Sequence, residues 1–204
     1  MRRDGAPRAR YAPAMAPLLR SATDARWTAV AVARLDRTLA DHAHCEKKAA
    51  ASALKLVADH PDRPDLVRAL ARLAQEELQH FLAVLAEMGR RGIPLPADEG
   101  DPYAQALVRL VRGGEAALVD RLLVSALIEA RSCERLQLLA QALPEARLRD
   151  LYARFAQSEA GHERLFVDLA RRHGGEAAAD ARLEALAEAE ARIVRELPIL
   201  PRIH

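Results

Sequence analysis

Gln75-Glu76-Glu77-Leu78-Gln79-His80-Phe81 and its echo Ser158-Glu159-Ala160-Gly161-His162 decide how the chain folds. Each sets a Glu and a His three residues apart, which on a helix puts both side chains on one face, about 60° and 4.5 Å apart. Each pair interrupts an apolar stripe. The first stripe runs Leu70, Leu73, Glu77, His80, Val84, Leu85, Met88, and the second Leu148, Leu151, Phe155, Glu159, His162, Phe166, Leu169. Recurrence at three and four residues is the signature of an amphipathic helix. A carboxylate inside such a stripe is expensive to bury unless it is paired or bound to metal.

Two more stripes each carry a lone Glu. One runs Val32, Leu35, Leu39, His42, Glu46, Ala49, Ala53, Val57, and the other Leu118, Leu122, Ser125, Glu129, Ser132, Leu136, Ala140. The pattern predicts long helices over 24–59, 65–91, 115–142 and 145–173, a short helix over 103–111 and an Ala- and Glu-rich fifth long helix over 176–197. The turns are marked by Pro61 and Pro64, Gly92, the connector holding Pro94, Pro96, Gly100 and Pro102, then Pro144 and Gly174-Gly175. Strand-period alternation is absent from the sequence. The expected fold is all-α: a four-helix bundle of two helical hairpins joined by one crossover, plus accessory helices. The expected organisation is a basic N-terminal extension over 1–23, a single domain over 24–197 and a tail over 198–204.

Composition agrees. The 204 residues are 50% hydrophobic but only 3% aromatic, with 9 Gly, which suits packed helices and excludes sandwiches and barrels. With 2 Cys the chain has too few thiols for a disulfide framework or a cysteine-ligated cluster, so a reducing cytoplasm is expected. The net charge of +2 permits nucleic-acid contact without demanding it. Arg2, Arg3, Arg8 and Arg10 are followed by a stretch broken by Pro13 and Pro17, unlike a signal peptide, and no window is apolar enough to span a membrane.

Residues equidistant from a hairpin turn stand at the same height. Glu46 and Glu77 are equidistant from Pro61-Asp62, and Glu129 and Glu159 from Pro144. Each hairpin therefore levels a lone Glu with an E-x-x-H. Choosing Glu134 in place of Glu129 would misplace the pair by about 7 Å, and Glu134 shares the wetter-looking face of Arg131, Leu138 and Gln141. Cys133-Glu134-Arg135 nevertheless echoes Cys45-Glu46-Lys47; we side with the geometry. The candidate catalytic and metal-ligating residues are thus Glu46, Glu77, His80, Glu129, Glu159 and His162. This is the donor set of ferritin-like di-iron and di-manganese carboxylate proteins, and hard carboxylate oxygens with one imidazole per ion suit iron or manganese. Four buried Glu each satisfied by an Arg would explain neither the His spacing nor the height match.

The stretches Asp41-His42-Ala43-His44-Cys45-Glu46-Lys47-Lys48-Ala49-Ala50, Ile128-Glu129-Ala130-Arg131-Ser132-Cys133-Glu134-Arg135 and the two E-x-x-H segments resemble the bacterial tRNA hydroxylase family acting on 2-methylthio-N6-isopentenyladenosine, from Trp27 to Leu197. The resemblance implies a ferritin-like di-iron monooxygenase with two iron ions and O2 as co-substrate. It would hydroxylate the isopentenyl side chain of the adenosine beside the tRNA anticodon. No reductase motif is present, so the electrons are expected from a separate reductase partner. The alternatives are a ferroxidase or peroxide-handling protein without an organic substrate, and a tRNA-binding module whose metal is structural.

Smaller features carry weaker expectations. His42, on the stripe, is placed to support a ligand carboxylate, and His44 is expected at the surface. Cys45 and Cys133 read as small buried hydrophobes. Arg68, Arg72, Arg90, Arg91, Arg109, Arg112, Arg171 and Arg172 read as solvated surface from which some meet tRNA phosphates. No G-x-G-x-x-G or Cys-x-x-Cys is present. Among Tyr11, Tyr103 and Tyr152, the nearest in sequence to a ligand is Tyr152, two turns from Glu159, which disfavours a tyrosyl-radical role.

Overall fold

The computed structural model describes residues 18–204. The basic cluster at Arg2, Arg3, Arg8 and Arg10, and Tyr11, lie outside them. Among the described residues the regular elements are helical: α1 Trp27–Ala33, α2 Leu35–Asp59, α3 Pro64–Arg90, α4 Pro102–Val108, a 3-10 turn Gly114–Ala116, α5 Ala117–Ala142, α6 Ala146–Gly174 and α7 Glu176–Glu196. Helix α2 packs along α3 and α5 along α6, giving the two hairpins; α3 meets α6 between them, and α7 lies against both α5 and α6. No described helix is long and apolar enough to cross a membrane.

The first predicted helix is broken in two. Its stripe continues through 24–59, but Arg34 leaves helical geometry at φ −124° and ψ 50°. The break frees the Ala31 carbonyl, which accepts a 2.9 Å hydrogen bond from the Thr38 hydroxyl. It also redirects α1 so that Trp27, 1% exposed, packs into the core and donates its Nε1–H to the Arg202 carbonyl at 3.0 Å. Elsewhere the ends follow the expected chemistry. Pro64 opens α3 with its missing N–H at a position that has no helical acceptor. Gly175, at φ 82°, turns α6 into α7.

The core is two clusters. One gathers leucines such as Leu66, Leu70, Leu122 and Leu127 with Tyr103 and Phe166; the other gathers Trp27, Leu39, Val84, Leu136, Tyr152 and Phe155. Several predicted surface arginines are committed to carboxylates: Arg90 and Arg91 to buried Glu87, Arg112 to buried Asp120, Arg171 to Asp180 and Arg172 to Asp65.

Candidate metal centre

Six side chains reach the bundle axis from four helices: Glu46 from α2, Glu77 and His80 from α3, Glu129 from α5, Glu159 and His162 from α6. Ligand-capable atoms of Glu46, Glu77, His80 and Glu159 lie within 4.8 Å of one another, and so do those of Glu77, Glu129, Glu159 and His162. The two groups share Glu77 and Glu159, so each half holds the shared pair, one further Glu and one His. His80 Nδ1 is 3.5 Å from Glu46 and from Glu77 and 3.4 Å from Glu159. His162 Nδ1 is 2.8 Å from Glu77 and 3.1 Å from Glu159. The structure therefore brings together all six sequence-selected residues, at the heights that equidistance from the turns gives them.

Among the described residues, no Arg or Lys forms an ion pair with any of the four carboxylates. Both oxygens of Glu77, Oε1 of Glu159 and Nδ1 of His80 are buried without a hydrogen-bond partner. Burial lifts the Glu77 carboxyl to about 7, against the pull of His162 and His80 and with the help of Glu159. Burial, then Glu159 and Glu77, raise Glu129 well above the usual carboxylate range. Burial alone would lower the histidines, but the nearby carboxylates of Glu159, Glu46 and Glu77 raise His80 to about 11, and those of Glu159 and Glu77 raise His162 to about 12. Carboxylates crowded together with inward atoms unsatisfied form a charge-deficient cavity that divalent cations would complete. The donor chemistry, carboxylate oxygens with one imidazole in each group, fits hard divalent cations.

The surroundings orient these groups. The half-exposed Glu76 stands 3.0 Å from His162 Nε2, which leaves Nδ1 facing inward. His42 Nε2 lies 2.6 Å from Glu46 Oε1, at an angle that is not a hydrogen bond. Complete burial lowers His42 to about 4, which keeps it neutral. The Tyr152 ring stacks on His42 at 5.5 Å, closer to the centre than its sequence position suggests.

Two expectations need correction. His44 is buried, with Nε2 3.0 Å from the Pro96 carbonyl, because the connector folds over α2. The face of α5 bearing Glu134 is not wet at Arg131, which is fully buried. Its guanidinium donates to Glu190 at 2.7 and 3.0 Å and also meets Glu134. Glu134 points away from the centre and accepts the Thr23 N–H at 3.1 Å. Sequence reading missed the Arg131–Glu190 pair. The available signal was an acidic residue in phase with Leu183, Leu186, Ala187 and Ala191 on α7, a buried charge that requires a partner.

A cavity of about 160 Å³ is lined by Glu46, Glu129 and Glu159 together with Ala53, Leu56, Val108, Ile128, Phe166, Ile203 and His204. Larger hollows of about 250 and 480 Å³ are not lined by any of the six candidate ligands.

Bundle and donor set together define a ferritin-like carboxylate protein. A solved structure, Protein 43 with aldehyde deformylating oxygenase activity from Synechococcus, matches with a TM-score of 0.87 and 39% identity over 92% of this chain and 95% of that one. The model of the tRNA-(MS[2]IO[6]A)-hydroxylase (MiaE) family matches residues 11–204, and the chain belongs to that family of tRNA hydroxylases. The tRNA 2-(methylsulfanyl)-N(6)-isopentenyladenosine(37) hydroxylase of Pseudomonas putida is 45% identical over 74% of this chain and 74% of its own length. The hydroxylase of the same name from Salmonella typhimurium is 36% identical over 67% of this chain and 50% of its own.

Proposed function

We propose that the chain hydroxylates the isopentenyl side chain of 2-methylthio-N6-isopentenyladenosine beside the tRNA anticodon, with Glu46, Glu77, His80, Glu129, Glu159 and His162 holding two iron ions. The observation that carries this reading is a largely apolar cavity lined by three of the carboxylates in a member of a tRNA hydroxylase family. An apolar cavity of roughly 150 Å³ holds a benzene molecule, so about 160 Å³ is ample for a five-carbon prenyl group. A ferroxidase has no use for such a cavity.

When bound, the iron pair supplies the reductive activation of O2. The chain's own residues do the rest. Glu77 and Glu159 belong to both groups and would hold the iron together with Glu46 and His80 on one side and Glu129 and His162 on the other. Glu76 orients His162, Phe155 packs edge-on against the His42 and His80 rings, and Phe166 lines the pocket. The overall change combines a C–H bond, O2, two electrons and two protons into a C–OH group and water. The electrons come from a separate reductase.

The test uses iron-loaded protein, O2, a chemical reductant and tRNA from cells lacking the gene, followed by mass spectrometry of the nucleosides. The expected result is one oxygen added to the isopentenyl nucleoside. An unchanged nucleoside with every component present would overturn the proposal.

A further inference from the structure

The substrate pocket contains a hydrogen-bonded chain that the metal centre does not use. Ser132 Oγ lies 2.6 Å from His204 Nε2, and His204 Nδ1 lies 3.0 Å from Asp101 Oδ2. All three residues line the apolar cavity together with Glu46, Glu129 and Glu159. The imidazole is held from several sides. It stacks on Tyr103 at 5.8 Å, and Cys45 Sγ stands 3.4 Å from its Nδ1. The Ile203 N–H donates to Asp41 at 2.7 Å, and Asp101 itself accepts the Ala104 N–H at 3.0 Å as the N-cap of α4.

Polarity follows from the carboxylate. Asp101 can only accept, so the tautomer that satisfies it carries its proton on His204 Nδ1, leaving Nε2 as an acceptor. Ser132 must then give its one hydroxyl proton to Nε2, and its oxygen keeps lone pairs able to accept from a ligand in the pocket that Ser132 lines. A ligand seated there gains most by presenting an N–H to that oxygen. Ser132 stands one turn beyond Glu129 on α5, a rise of about 4.5 Å. The N6 atom of a prenylated adenine carries one N–H and is four covalent bonds, roughly 5 Å, from the far end of its side chain.

We infer that Ser132 Oγ, its own proton held by His204, accepts the N6–H of the prenylated adenine and sets how far the side chain reaches toward the carboxylates. The inference rests on the prenyl-adenosine substrate proposed above and assigns Ser132 as a specificity-determining residue with His204 and Asp101 as positioning residues.

Binding to the metal-free protein tests it without turnover. The probes are a synthetic anticodon stem-loop carrying N6-isopentenyladenosine and the same stem-loop carrying N6-methyl-N6-isopentenyladenosine, which has no N–H. Wild-type protein is expected to prefer the first by about five- to tenfold, the size of one buried hydrogen bond. Ser132→Ala should reduce that preference to within about twofold while Ser132→Thr keeps it, a cycle that separates the hydrogen bond from the bulk of the added methyl. Nitrogen NMR of His204 should show Nδ1 protonated and Nε2 bare. An unchanged preference in Ser132→Ala, or a proton on Nε2, overturns the assignment of Ser132 and leaves the substrate standing. Binding of neither stem-loop by wild-type protein overturns the substrate reading and this inference with it.

Discussion

Glu129 and Glu134 lie five residues apart on one helix and meet opposite fates. Glu129 is buried with Glu77, Glu159 and His162, whereas Glu134 binds the Thr23 backbone and Arg131. Five residues rotate the helix by about 140°, so the two carboxylates cannot serve the same centre. Glu129→Gln is expected to lose metal and hydroxylation, while Glu134→Gln keeps about two ions per chain. Anaerobic iron titration checks this, and an empty site in Glu134→Gln beside a full one in Glu129→Gln would contradict the geometry. Folding should survive Glu129→Gln in the metal-free protein, because burial already disfavours the charged form of Glu129 and the amide keeps its shape. The positions of these candidate ligands were legible because helix rise and turn position alone fix their heights. The partner of Arg131 was not, since Glu190 lies 59 residues away and periodicity does not say which helices touch.

At the scale of elements, the four long helices were legible because their stripes are long and Pro or Gly ends them. The break at Arg34 was hidden because the apolar phase runs across it; what separates α1 from α2 is one residue's dihedral angles and the Thr38 hydroxyl. The segment after α7 offers no period at all, yet Ile203 is buried and His204 enters the cavity wall. The α6–α7 junction is a different case, where sequence and packing make the same demand. A Cβ on Gly174 would come 2.7 Å from Val119 Cγ2. Gly174→Ala is therefore expected to destabilise by about 1–3 kcal/mol through overpacking. Urea unfolding checks it, and Val119→Ala in the same chain should recover part of the loss. Arg131→Ala should cost more, about 3–5 kcal/mol, because Glu190 would be left buried without its cation.

Across the whole molecule, charge decides how stability responds to solution conditions. Asp120 is buried where Arg112 and Arg182 converge. Burial pushes its carboxyl up, but the two guanidinium groups and the Arg112 N–H outweigh that and hold it well below the usual range. A depressed folded-state value means stability that is fully present above the unfolded value of about 3.9 and is lost as pH falls below it. Asp120→Asn should therefore lower the urea midpoint at pH 7, by an amount that holds down to about pH 4 and shrinks below it as pH falls toward the depressed folded-state value. The candidate metal centre would act on a larger scale, because its six side chains come from both hairpins, which otherwise meet chiefly through α3 and α6. In the metal-free chain His80 and His162 stand against the carboxylates across that junction; bound cations would take their place as a clamp. A ligand present at a hundred times its dissociation constant stabilises by about 2.7 kcal/mol, which in a chain of this size raises the Tm by about 5–10 °C. Anaerobic ferrous iron should produce a rise of that order in the wild-type protein and a much smaller one in Glu129→Gln. An equal rise in both would mean that the iron stabilising the fold is bound elsewhere than between the hairpins.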